Sequence, residues 1–173
     1  SNSWAFCEVI GDSYVGGIAG ESGTIKNCYA TGSVEGNDCV GGMSGQNGGT
    51  IADSYANVHV VGHGEYNGGL VGWNPSGIDR CYATGKVDAV YPPSGGLVGA
   101  THIDPEQWKP CWAKNSYYDM NTTGRYREGN DENGYPKTTA EMMTKATFTT
   151  WDFQNVWWMI PGKTYPLLRP VKY

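Results

Sequence analysis

Long apolar runs, basic clusters and helical periodicity are all missing from this 173-residue chain, and each absence removes a class of protein. A membrane-spanning helix needs about 20 consecutive apolar residues, whereas the uncharged apolar runs here are a few residues long. The 12 Lys and Arg residues face 17 Asp and Glu, for a net charge of −5, and they form no cluster. A nucleic-acid partner would require a basic face, and an anionic membrane surface would repel this charge. Cysteine is sparse and odd in number, five in all, with no Cys-x-x-Cys pair. That argues against a paired disulfide framework and against a zinc site.

Glycine is abundant instead, with 26 residues against a usual share of about 7%. Hydrophobic residues reach only 39%, which by itself would suggest disorder. Charge is also low, at 17%, and the Tyr, Trp, Ile and Val residues recur periodically, so the chain folds. Its length suits one domain with a real core.

The periodicity is explicit. Val15-Gly-Gly-Ile-Ala-Gly20, Val40-Gly-Gly-Met-Ser-Gly45, Asn67-Gly-Gly-Leu-Val-Gly72 and Ser94-Gly-Gly-Leu-Val-Gly99 recur at offsets of 25, 27 and 27 residues. A second phrase follows the first three: Asn27-Cys-Tyr-Ala-Thr-Gly32, Asp53-Ser-Tyr-Ala-Asn-Val58 and Arg80-Cys-Tyr-Ala-Thr-Gly85. Asn2-Ser-Trp-Ala-Phe-Cys7 and Asn115-Ser-Tyr-Tyr-Asp119 fall on the same frame, the latter after an insertion at about Thr101–Lys114. A fixed period of this length marks a repeat architecture, in which each unit buries its apolar face only against its neighbours.

Strand formers punctuated by Gly and Asn fill each unit. Ile25, Cys28, Ala30 and Val34 read as inward-facing, with Asn27 at a bend; Ile51, Ser54 and Ala56, and Ile78, Cys81, Ala83 and Val87, take the same places. About 26 residues allow three strands and three corners, with the glycine pairs at corners needing positive φ or close backbone approach. Propeller blades run to 40–50 residues, so the expected fold is all-β: a right-handed parallel β-solenoid of about four rungs. Stacked rungs would place Cys28 and Cys81 roughly 9–10 Å apart, beyond the ~7 Å limit for a disulfide. Residues 1–114 form the solenoid repeats, and 115–173 the last rung and a small α+β aromatic C-terminal cap. The cap signals are a capping box at Thr138-Thr-Ala-Glu141, predicting a helix over Thr139–Lys145, and Trp151, Phe153, Trp157 and Trp158 close together. Pro161-Gly-Lys163 then turns Val156–Ile160 back on Tyr165–Leu168 as a hairpin. This cap is expected to seal the final rung.

These phrases resemble the GLUG-motif repeats of large bacterial surface and secreted proteins. Gly69-Leu-Val-Gly72, Gly96-Leu-Val-Gly99, Asn27-Cys-Tyr-Ala-Thr-Gly32 and Cys81-Tyr-Ala-Thr-Gly85 carry the likeness. Asn115-Ser-Tyr-Tyr-Asp119, Thr138-Thr-Ala-Glu-Met142, Phe148-Thr-Thr-Trp-Asp-Phe153 and Tyr165-Pro-Leu-Leu168 look like the ending found after such repeats. Ile18-Ala19, Met43-Ser44 and Asn57-Val-His-Val60 depart from the pattern. The resemblance implies an extracellular or cell-surface module of a bacterial adhesin-like protein, or an accessory repeat of an immunoglobulin A peptidase. The opening Ser1-Asn-Ser, without initiator Met or signal peptide, agrees with a piece of a larger polypeptide.

Chemistry is sparse. Asp12 and Asp38, beside glycines, read as turn residues more than as the paired carboxylates of a glycosidase. His59 and His63 have i, i+4 spacing but lie in strand-like sequence without a following Glu. No nucleophile elbow is present, so the expectation is a non-catalytic module with no cofactor. Calcium is the stronger metal candidate, through Asp131, Glu132 and Asn133 in an oxygen-rich turn. Trp4, Tyr29, Tyr55, Tyr82 and Tyr117 share one column, which faces outward if Cys28 and Ala30 face inward. Such a ladder either shields the sheet or offers rings to sugars, and Trp108 and Trp112 in the insertion form a second candidate contact. Adhesion or ligand binding, to host or environmental glycans or extracellular proteins, is the functional expectation. A purely structural spacer and a carbohydrate-active enzyme on a β-helix are the alternatives.

Overall fold

The computed structural model describes residues 1–101, 111–126 and 133–170, and in it each coil has four short strands, one more than its length suggested. Sheet A stacks Trp4–Ile10, Tyr29–Gly36, Tyr55–Gly62, Tyr82–Ala83, Tyr117–Asp119 and Tyr135–Lys137, with Val87–Ala89 alongside the third strand. Sheet B stacks Ser13–Gly16, Asp38–Gly41, Asn67–Gly68 and Ser94–Gly95. Sheet C stacks Ala19–Ser22, Ser44–Asn47, Val71–Asn74 and Val98–Thr101, and sheet D Ile25–Lys26, Thr50–Ala52, Gly77–Asp79 and Trp112–Lys114. All these pairings are parallel, and equivalent repeat positions lie opposite one another. The protein is a β-solenoid of about four turns.

The fourth strand arises because the glycine phrase is itself a corner, between sheets B and C. Gly17, Gly42, Gly69 and Gly96 stack there so closely that a Cβ on one of the first three would overlap the carbonyl oxygen of the next. Close approach, not positive φ, selects glycine at this column. The corners that do need positive φ use other residues. Asn27, Asp53, Arg80 and Asn115 turn the chain from sheet D into sheet A at φ 54°, 47°, 52° and 50°, Asn2 has φ 55° just before the first sheet A strand, and Tyr14, Cys39 and Tyr66 also have positive φ, at sheet B. Asn and Asp tolerate this region through local hydrogen bonding; Arg80 is held there by Asp53, as described below.

Inside the coils, like residues stack on like. Val34, Val60 and Val87 form one column, Met43, Leu70 and Leu97 another, and Ile25, Ile51 and Ile78 a third, all buried. The inward assignment of Ile25, Cys28, Ala30 and Val34 holds. In the Ser/Cys column each buried hydroxyl serves two coils. Ser54 Oγ accepts from Cys28 N at 3.1 Å and donates to Ala52 O at 2.7 Å, and Ser116 repeats this with Cys81 N and Lys114 O. Cys7, Cys28, Cys39 and Cys81 are free thiols.

The tail departs from expectation in position. Its helix stops at Met142, with the Thr138–Glu141 capping box formed, because Thr144 is extended before a 3₁₀ turn over Lys145–Thr147. The hairpin forms as Trp157–Trp158 against Leu167–Leu168. Met142, Phe148, Trp151 and Trp157 pack on Tyr55 and Tyr82, so the cap covers the outer face of sheet A instead of lying across the end of the stack. The end is closed by other parts: Tyr118 lies against Gly96, and the turn at Gly134 against Leu97.

Candidate functional site

The aromatic column exists as read: Trp4, Tyr29, Tyr55, Tyr82 and Tyr117 are opposite one another in register, and Tyr135 extends it by one. The rings of Tyr29, Tyr55 and Tyr82 stack at 5.0 and 4.9 Å, within 4° of parallel. Trp4 continues the stack at 6.2 Å. At Tyr82 the stack passes to Tyr165 of the tail, 6.1 Å away. These side chains leave the coil on its outer side, yet Tyr55 and Tyr82, at the middle of the column, do not reach solvent.

An open platform is therefore corrected to a covered one. Tyr55 and Tyr82 are only 8% and 2% exposed. Trp157 lies 6.3 and 6.1 Å from their rings, and Trp151 lies 6.2 Å from Tyr82. Tyr82 Oη donates to the buried Pro166 carbonyl at 2.7 Å. Burial raises the Tyr82 phenol well above its ordinary pKa, and burial beside Tyr29 lifts that of Tyr55 to about 12. Tyr117 is half-buried under Phe148 in an edge contact at 5.3 Å. Tyr29 is half-buried, and only Trp4, 68% exposed, presents a free face. The tail's aromatic side chains bury their rings against those of the ladder, where ring-on-ring packing adds to the area removed from water.

The other expected residues separate. Trp112 is a strand residue of sheet D, its ring flat against Gly77, with Lys114 Nζ 5.3 Å from the ring centroid. Trp108, Asp131 and Glu132 lie outside the described residues, and Asn133 is half-buried where the chain turns towards Tyr135. Asp12 lies in a bend and Asp38 opens a sheet B strand, and each is used within the stack: Asp12 accepts from Asn37 Nδ2, and Asp38 Oδ1 from Glu65 N at 2.7 Å. His59 and His63 lie apart in function, the first bound to Asp88 at 2.8 Å and the second to Glu35 at 2.9 Å. Among the described residues, no group of three His, Cys, Asp or Glu side chains could hold a metal ion. Nor is any described helix long and apolar enough to cross a membrane.

One open cleft, of about 480 Å³, was not foreseen. His63, Lys86, Asp88 and Arg125 bring charge to it, and Val87 and Ala89 form its floor. Arg125 Nη2 donates to the carbonyls of Val87 and Ala89 at 2.9 and 3.3 Å, and desolvation lowers its pKa. Asp88 is held below the usual carboxylate range by hydrogen bonds from Lys86 and His59. The groups come from two successive coils and from the segment after the last one, so no local motif marked them. Two buried polar groups were also missed. Asp119 caps the Met120–Thr123 helix and accepts Tyr165 Oη at 2.7 Å. Asp53, buried, accepts Arg80 Nε and Nη2 at 2.7 and 3.0 Å. An Asp before Met-Asn-Thr-Thr was a legible cap signal for the first of these.

Comparison with curated proteins and with solved structures returned no match. A family profile described as the GLUG motif matches residues 11–35. That stretch runs from the end of one sheet A strand, through the glycine corner, to the next sheet A strand. It is thus one complete coil, and three further glycine phrases stack on it in register. Residues 11–35 match the GLUG motif as one coil, and the remaining coils of the stack repeat its glycine phrase.

Proposed function

We propose that the chain is a non-catalytic structural module that displays adjoining parts of an exported bacterial surface protein. The covering of the aromatic ladder carries this reading: the middle of a surface suited to stacking ligands in rows, at Tyr55 and Tyr82, is used to hold the tail. Polar side chains likewise serve the stack, as when buried Asn47 Nδ2 donates to Asn74 Oδ1 of the next coil at 2.8 Å. Solenoids of this kind transmit rigidity along a stack because each coil contacts only its neighbours. Export and a bacterial surface rest on the resemblance to GLUG repeats alone.

A second reading is adhesion through the cleft of His63, Lys86, Asp88 and Arg125, where donors and an acceptor for hydroxyl or carboxylate groups converge beside exposed Val90, Tyr91 and Tyr126. Glycans and extracellular proteins are its partner classes. A binding panel of both, run with and without calcium, separates the two. The display reading expects no saturable binding in either arm. Binding that is lost in Lys86→Ala/Asp88→Asn replaces it with recognition at the cleft, and binding that needs calcium directs attention to Asp131, Glu132 and Asn133.

A further inference from the structure

One edge of sheet A is opened by the path of the chain itself. After Asp119 the backbone leaves the sheet for the Met120–Thr123 helix and the left-handed Gly124. Among the described residues, Val87–Ala89 therefore pairs on one side only, with the Tyr55–Gly62 strand. On that side Lys86 O accepts from Val60 N at 2.8 Å, and Val90 N donates to Gly62 O at 3.2 Å. Alternate residues of a strand turn their N–H and C=O groups to opposite edges, so Val87 and Ala89 turn theirs to the open one.

Arg125 satisfies half of this edge. Its Nη2 takes both carbonyls, at 2.9 and 3.3 Å. The N–H groups of Val87 and Ala89 have no partner among the described residues. The guanidinium, in turn, lacks a counter-ion. Nε is buried and meets no acceptor, and among the described residues Nη1 makes no hydrogen bond and no carboxylate pairs with the group. A charge withdrawn from water without a partner is costly, and the lowered Arg125 pKa reflects that desolvation.

These groups border the cleft of about 480 Å³, a volume typical of small-ligand sites, about 300–1,000 Å³. Lys86 and Arg125 stand there against Asp88, two positive charges to one negative, in a chain whose net charge is −5. Asp88 is already engaged, its Oδ2 shared by Lys86 Nζ and His59 Nε2, each at 2.8 Å. Glu35, which binds His63 Nε2 at 2.9 Å, is not part of the lining. The result is an excess of donors: a guanidinium, an ammonium and two backbone N–H groups. Donors of this kind address several oxygens of one anionic group at once.

We propose that the cleft beside Arg125 is an oxyanion site, which takes a carboxylate, sulfate or phosphate group among Arg125, Lys86 and the N–H groups of Val87 and Ala89. This goes beyond the display reading and rests on neither reading above. A free anion would complete the edge of sheet A, and an acidic group on a larger ligand would anchor recognition at the cleft.

Titration with sodium sulfate should shift the amide resonances of Val87 and Ala89 saturably, with no such shift in sodium chloride of equal ionic strength. Arg125→Gln should weaken binding at least about tenfold. Should that variant fail to fold, Lys86→Gln changes a side chain that is 64% exposed, keeps the fold, and should weaken binding at least about threefold. Acetate and glucuronate then separate the sources, and either result upholds the site. Glucuronate no tighter than acetate assigns it to a free anion, whereas glucuronate at least about tenfold tighter, with glucose inert, assigns it to an acidic sugar. Absence of a saturable shift with sulfate, phosphate and acetate overturns the proposal and leaves both readings of function standing. Binding that neither substitution weakens overturns it as well.

Discussion

Tyr29 and Tyr82 occupy the same repeat position, in the same column, with rings stacked through Tyr55. They should nevertheless differ sharply in cost when truncated. Replacing Tyr82 by Ala removes a fully buried ring from contact with Tyr55, Trp151, Trp157 and Tyr165. Large aromatic truncations of that kind cost about 3–5 kcal/mol. The Pro166 carbonyl also loses its donor, at roughly 1 kcal/mol for a buried acceptor left unsatisfied. Tyr82→Ala should therefore cost about 4–6 kcal/mol, close to the whole stability of a small domain. Tyr29 is only half-buried, so Tyr29→Ala should cost on the order of 1–2 kcal/mol from lost stacking and area. Urea unfolding, followed by tryptophan fluorescence and by far-ultraviolet circular dichroism, measures both. Tyr82→Phe isolates the hydroxyl and should cost about 1–2 kcal/mol. Equal losses for Tyr29→Ala and Tyr82→Ala would refute the placement of the tail over sheet A, because the column alone makes the two residues equivalent.

Glycine substitutions should divide in the same manner. Gly69→Ala puts a methyl into the Gly96 carbonyl and should lower the urea midpoint by an amount worth at least about 2 kcal/mol, whereas Gly23→Ala meets nothing within 4 Å and should be neutral or slightly stabilising. Arg80→Ala strips the bidentate partner from buried Asp53; about 2–3 kcal/mol is expected in chemical denaturation, less than for a fully buried pair because Arg80 is partly exposed. Adding Asp53→Asn should restore part of that loss. Acid should weaken the fold in a defined window: the Thr138 hydrogen bonds depress the Glu141 pKa, and Lys86 and His59 depress that of Asp88. Depressed carboxylates contribute stability above their unfolded pKa values, about 4.3 and 3.9, and lose it as pH falls through the lower folded values. Calorimetry should thus find a melting temperature flat above about pH 5 and falling below about pH 4, with a smaller fall in Glu141→Gln.

Much of the coil was legible because it is written four times. Inward positions at Ile25, Cys28, Ala30 and Val34 followed from strand alternation, and repetition confirmed their phase. The corners were harder. Glycine pairs suggested either positive φ or close backbone approach; the structure shows close approach at the glycine phrase and gives positive φ at the D–A corner to Asn27, Asp53 and Arg80. Both uses put a small or polar residue at a bend, so composition alone does not separate them. The tail occurs once, and its aromatics identified a cap without saying which surface it covers. That choice depends on competition between two apolar surfaces far apart in sequence, and the Tyr82–Pro166 hydrogen bond joins positions 84 residues apart. The charged cleft was invisible for the same reason, since His63, the Lys86–Asp88 pair and Arg125 meet only after the coils have stacked.

Residues 102–110 interrupt the repeat between sheets C and D, yet the register on either side is undisturbed. Val98 pairs with Val71 before the interruption and Ala113 with Ile78 after it, although Ala113 follows Ile78 by 35 residues where Ile78 follows Ile51 by 27. Register in a solenoid is enforced coil by coil, by the stacked columns and not by a running count along the chain. A corner between two sheets therefore behaves as a socket: sequence of altered length can be spliced there without shifting any residue downstream into the wrong phase. The C–D corner is the natural place to graft a foreign peptide onto this scaffold, and the place where lineages of such proteins can diversify while the wall of the coil stays the same.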